Sequence, residues 1–133
     1  MNLLVMAPEP VDAAAVREAL GGEDLGDAKI LYVSPALNES RVAFWMSDSD
    51  EAIAEAQERA DQSAAALSAE GAQASGVAGE SEPLLALQDA LTTFQADRIV
   101  VFVRDDDAQR YREDDVAGEA ERRFGVPVVE AKL

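Results

Sequence analysis

The stretch "SEPLLALQDALTTFQADRIVVFV", residues 81–103, decides the fold. It holds a helix signal and a strand signal joined by a short turn. Ser81 reads as a helix cap, and Pro83 falls in the first turn, where its missing N–H is not needed. Leu84, Leu87, Leu91 and Phe94 recur at spacings of three or four, so they share one helix face and predict its buried stripe. After the Ala96-Asp97 turn comes "RIVVFV", residues 98–103, almost wholly apolar. A strand with one wet face alternates apolar and polar residues, whereas a parallel strand covered on both faces does not. The stretch therefore predicts a helix leading into a central parallel strand.

The same alternation continues outward. Residues 2–7, "NLLVMA", form a short apolar run stopped by Pro8 and Pro10. A helix pattern follows with Ala15, Val16, Ala19 and Leu20 on one side, and Gly21-Gly22 supplies its stop. Residues 28–34, "AKILYVS", carry the β-branched and aromatic content of a strand. A long helix is predicted over residues 48–70, with Ile53, Ala56, Ala60, Ala64 and Leu67 on one face and acidic residues in the first turn, where the helix dipole favours them. Residues 72–79, "AQASGVAG", are weak by composition and are read as a strand because helices flank them. Downstream of the opening stretch, Val116, Ala120 and Phe124 predict one more helix, Gly125 ends it, and residues 126–131, "VPVVEA", form the last strand.

Five strands alternating with four helices in 133 residues imply one domain, residues 1–133, built as an α/β doubly wound parallel sheet with helices on both faces. In such sheets ligands bind beyond the carboxyl ends of the strands, where the strand order reverses. With the first strand central, that point lies between it and residues 98–103.

Composition excludes much chemistry there. The chain has no cysteine, so disulfides, thiolate metal sites and thiol catalysis are ruled out. It has no histidine, the commonest general base and metal ligand. Its formal net charge is −16, and no basic cluster exceeds Arg122-Arg123, so neither nucleic acid nor an anionic membrane is an expected partner. No run of 18 apolar residues suggests a membrane span, and "MNLLVMAP" lacks the basic region of a signal peptide, so a cytoplasmic protein is expected.

Three stretches together resemble the universal stress protein family: "SEPLLALQDALTTFQADRIVVFV", then "AERRFGVPVVEA", and "PALNESRVAFWMSDSDEA", which is similar to a divergent actinobacterial branch of it. The resemblance spans nearly the whole chain and implies strand order 3-2-1-4-5. It also implies a nucleotide cleft whose rim would carry Ala7, Pro8, Ser34, Arg104, Asp114 and Asp115. Family members that bind ATP have a loop of the form Gly-x2-Gly-x9-Gly-Ser/Thr after the fourth strand and an aspartate ending the first. Counted back from Val126-Pro127-Val128, the Gly-Ser/Thr pair falls on Asp114-Asp115. The earlier glycines fall in residues 103–106, where there is none, and the first strand ends in Met6-Ala7-Pro8.

A phosphate loop needs inward-turned N–H groups, which glycines permit, and freedom from competing anions. One exposed like-charge contact costs about 1 kcal/mol in water and several times that in a partly dry cleft. A micromolar affinity is only about 8 kcal/mol, so several aspartates remove most of it. Arg104, Arg110 and Arg112 offset this only in part, since local pairing with the aspartates engages them. The expected protein is thus a non-enzymatic module with a degenerate nucleotide site, no cofactor and no ATP, acting on an unidentified protein partner or in regulation. The alternative is an ATP- or AMP-binding stress protein with a rewired phosphate loop.

Sharper readings are weaker. The acidic runs 105–107 and 113–115 lack the spacing and turn glycine of a calcium loop, so they read as solvated charge and no metal site is expected. A signalling receiver domain needs an acid pair after its first strand and an acceptor aspartate after its third, but those places read "MAPEP" and "VAGES". Phe44 and Trp45, in the apolar run 42–46, are expected to be buried under the helix that follows or in a subunit contact. Finally, the last strand should lie at a sheet edge, where Val126, Val128 and Glu130 would pair with a second copy in a homodimer.

Overall fold

A computed structural model describes residues 2–7, 10–22, 28–35, 49–69, 71, 73–79, 83–103 and 116–132. The described elements are, in order, β1 (Asn2–Met6), α1 (Ala13–Ala19), β2 (Lys29–Pro35), α2 (Ser49–Ala69), β3 (Gln73–Gly79), α3 (Pro83–Leu91), β4 (Arg98–Val103), α4 (Val116–Phe124) and β5 (Val128–Lys132). The strands form one all-parallel sheet in the order β3-β2-β1-β4-β5. This is the doubly wound arrangement expected, with β1 central.

The direction of each step between strands sets the face that each helix covers. From β1 to β3 the chain moves one way across the sheet, and from β4 to β5 the other, so right-handed crossovers put α1 and α2 on one face and α3 and α4 on the opposite one. The alternating side chains of β1 and β4 serve both layers. Leu3, Val5, Val100 and Phe102 pack with Val16 of α1 and with Ala60 and Leu67 of α2. Leu4, Met6, Ile99 and Val101 pack with Ala86, Leu87 and Ala90 of α3 and with Ala120 of α4. That double demand is why "RIVVFV" has so little polarity.

The helix ends follow their chemistry. Asp12 caps α1 by accepting the Ala15 N–H at 2.9 Å. At the other end Gly21 and Gly22 take φ of +76° and +92°, and their N–H groups bond the carbonyls of Glu18 and Arg17. This paired closure of the last turn favours glycine at the left-handed position.

Some sequence expectations need correction. The buried stripe of α3 runs through Ala86, Leu87 and Ala90, while Leu84, Leu91 and Phe94 are half-buried at its margin and Phe94 lies past the helix end. On α2, Ala56, Ala60, Ala64 and Leu67 are buried as expected, joined by Ser63; the side chain of Ile53 lies outside the described residues. Val126 does not belong to the last strand, because pairing with β4 begins at Ile99↔Val128. Pro127 has no N–H to donate but accepts the Ile99 N–H at 2.9 Å, and Val126 instead packs against the α3–α4 layer. Phe44 and Trp45 lie outside the described residues.

β3 shows why a weak-looking strand forms. Gly76 sits under α2, where a Cβ would collide with the Ala60 carbonyl and come within 2.9 Å of the Ala60 Cβ. Only a strand of small residues allows the helix so near. The outer edge of β3 is held by Gln57 of α2: its Nε2 donates to Gly76 O at 2.9 Å, and its Oε1 accepts the Ala78 N–H at 3.0 Å. The carboxamide takes the place of one peptide group of a missing neighbour strand.

Candidate functional site: the carboxyl ends of β1 and β2

The register of β1 and β2 ends on Met6↔Val33, and Ala7 extends it by donating its N–H to Val33 O at 3.2 Å. Ala7 and Ser34, two of the residues expected at the cleft rim, therefore sit on adjacent strand ends. Both are fully buried. Pro8, Arg104, Asp114 and Asp115 lie outside the described residues.

The polar groups at these strand ends are engaged by other parts of the chain. Tyr32 is fully buried, and its hydroxyl donates to Ala7 O at 3.3 Å, which closes the end of β1 from beneath. The Val11 N–H, on the stretch leading to α1, donates to the buried Ser63 Oγ of α2 at 3.0 Å. Arg59 of α2 donates its Nε to Ser34 Oγ at 3.4 Å. Among the described residues no buried side-chain polar atom lacks a hydrogen-bond partner. Such internal pairing is how a protein avoids the penalty of about 1–3 kcal/mol for each buried polar group left unmade.

Arg59, Tyr32 and Ser63 did not stand out in the sequence. Arg59 and Ser63 are identifiable in retrospect, because each neighbours the apolar stripe Ala56, Ala60, Ala64 and Leu67, where a polar residue needs a partner on the sheet. The signal in Tyr32 was hidden by its apolar ring, which fits any buried strand.

Elsewhere on the described surface, a shallow cleft of about 460 Å3 is lined by Lys29, Ser68, Gln73, Ser75 and Phe94. It lies at the amino ends of β2 and β3, the end of the sheet opposite to Ala7 and Ser34. No group of three or more acidic residues able to hold a metal ion occurs among the described residues. No helix among them is long and apolar enough to cross a membrane.

Charge on α4 is paired locally. Arg122 and Arg123 bond Glu119 at 2.9 and 2.8 Å, at i,i+3 and i,i+4 spacing. These bonds, Arg122 foremost, hold the Glu119 carboxyl below its ordinary range. Glu121, on the same helix, accepts the Val128 N–H of β5 at 3.0 Å.

No protein-family model matches this chain, and neither does any curated protein sequence.

Proposed function

We propose that this chain is a non-enzymatic module of the universal stress protein kind, cytoplasmic and homodimeric, whose nucleotide site has degenerated and which works through protein contacts. The observation that carries this reading is the closure at the end of β1. The hydroxyl of Tyr32 occupies the Ala7 carbonyl, and Ser63 occupies the Val11 N–H, so the polar groups a nucleotide would use there are already bonded. The stretch of residues 104–115, which contains no glycine and six acidic residues (Asp105, Asp106, Asp107, Glu113, Asp114 and Asp115), supports it from the sequence side.

One observation favours a second reading, adenine-nucleotide binding through a rewired phosphate site. Arg59 reaches the end of β2 and bonds Ser34, which puts a guanidinium at the edge where a phosphate would lie. Calorimetry with ATP and with AMP, each with Mg2+, separates the two. The proposal expects no binding tighter than about 100 µM, equivalent to about 5.5 kcal/mol. Tighter binding that is weakened by Arg59→Gln replaces it with the second reading.

A further inference from the structure

The outer edge of β3 is finished only in part. Gln73 donates its N–H to Ala28 O, so by the alternation of a parallel ladder residues 74, 76 and 78 turn their peptide groups away from β2. The Gln57 carboxamide covers Gly76 O and the Ala78 N–H. The Ala74 N–H and carbonyl and the Gly76 N–H have no hydrogen-bond partner among the described residues. The two sides of this edge differ in chemistry. On the α2 side, Gln57 Nε2 also donates to Asp61 Oδ1 at 2.9 Å, which holds an exposed carboxylate beside Gly76. No cation pairs with Asp61 among the described residues. On the other side, α3 covers only the carboxyl end of β3, where a Cβ on Gly79 would lie 3.2 Å from the Ala86 Cβ. Gln73, Ser75 and Val77 alternate onto that same side and are exposed. Val77 and Leu85, the neighbour of Ala86, are the exposed large hydrophobics among the described residues, at 37% and 48%. The cleft walled by Phe94 continues this side past Ser75 and Gln73.

We propose that an extended segment of a partner protein, with alternating apolar and basic side chains, adds to β3 as a further strand of the sheet. Strand pairing sets its pattern. The residue facing Val77 and the residue four positions away, facing Gln73, turn to the α3 side. The first covers Val77 and the second enters the cleft beside Phe94, so both are apolar. The residues facing Gly76 and Ala74 turn to the α2 side and flank Asp61, so both are basic. The pattern, apolar-basic-x-basic-apolar, reads the same in both strand directions. Its main-chain groups meet Ala74 and the Gly76 N–H first. Gln57 is the placeholder for one of its peptide groups, and the carboxamide must leave when the segment claims Gly76 O. The net charge of −16 draws a basic segment from a distance and disfavours an acidic one.

The inference rests on the proposed action through protein contacts and names the contact; nucleotide does not enter its test, so the two fail separately. The probe is a short capped peptide with valine and phenylalanine four positions apart, lysine at the two intervening positions that face α2, and threonine elsewhere. Titrated into the isotope-labelled protein and followed by NMR, it is expected to bind with a dissociation constant tighter than about 1 mM and to slow hydrogen exchange at Ala74 and Gly76. Glutamate in place of both lysines is expected to weaken binding about tenfold or more, and so is Asp61→Lys, an exposed position where an unchanged unfolding midpoint shows the variant folded. Gln57→Ala is expected to tighten binding about threefold or more, because the seat is already vacant, whereas a purely structural Gln57 gives no gain. Absence of binding at about 1 mM, shifts centred on β5 instead of β3, equal binding of the glutamate peptide, or no gain in Gln57→Ala overturns the inference. So does slowed exchange at Ala74 and Gly76 as the protein alone is concentrated, which makes a second copy the occupant.

Discussion

At position 76 the side chain is a hydrogen atom, and α2 rests on it. Adding one methyl group there drives it into the Ala60 backbone, which belongs to a helix and cannot swing aside as a long side chain would. Gly76→Ala is expected to destabilise the protein by about 1–3 kcal/mol, the usual range for an overpacked core; a denaturant midpoint equal to that of the parent would contradict it. Glu119 makes a second residue-scale case. Its carboxyl is held below the ordinary value of 4.5, first by the Arg122 hydrogen bond and then by Arg123. A depressed carboxylate contributes stability that is present above its unfolded value and is lost as pH falls through the lowered folded value. The Glu119 titration followed by NMR is therefore expected to lie below the ordinary carboxylate value, and to rise in Arg122→Ala/Arg123→Ala.

Among the elements, β3 depends most on its neighbour. An edge strand offers unpaired peptide groups, and α2 satisfies two of them with one side chain, Gln57. Gln57→Leu keeps the stem but leaves Gly76 O and Ala78 N–H bare. The expected loss is about 1–3 kcal/mol, with hydrogen exchange at Ala78 accelerated more than at Val5 in the central strand. Unchanged protection at Ala78 would show that the carboxamide is not what guards this edge. The helices were legible because each buried face left a period near 3.6, and the strands because a sheet covered on both faces leaves short apolar runs without alternation. "QASGVAG" was the faint one, and the reason is now physical: the helix packs so near that large β-formers would not fit. The last strand was placed too early, since Val126 is apolar for the sake of the α3–α4 layer rather than for pairing. At the site, Ala7 and Ser34 could be placed from strand ends alone. The bonds from Tyr32 and Arg59 could not, because a hydrogen bond between residues 25 apart leaves no period behind.

For the whole molecule, charge opposes assembly. Two copies carry −16 each, so the proposed homodimer brings like net charges together. Exposed pairs contribute little, whereas repulsion between the net charges extends across the Debye length of about 10 Å at 0.1 M salt. Added NaCl is therefore expected to tighten the dimer, and sedimentation across a salt series checks the sign. Weakening with salt would mean that local ion pairs outweigh the net charge.

The position of β1 also bears on how the chain emerges from the ribosome. β1 lies between β2 and β4, and Asn2 is tied to the far end of that pairing: its N–H donates to the Asp97 carboxylate, its side chain to Gln95 O, and its carbonyl accepts the Asp97 N–H. β2 follows soon after β1 in synthesis, but β4 appears some ninety residues later. At typical elongation rates that interval is about 5–20 s. Until β4 is made, Leu4 and Val5 lie on a strand whose β4 side has no partner, so that edge of β1 stays open for the whole interval.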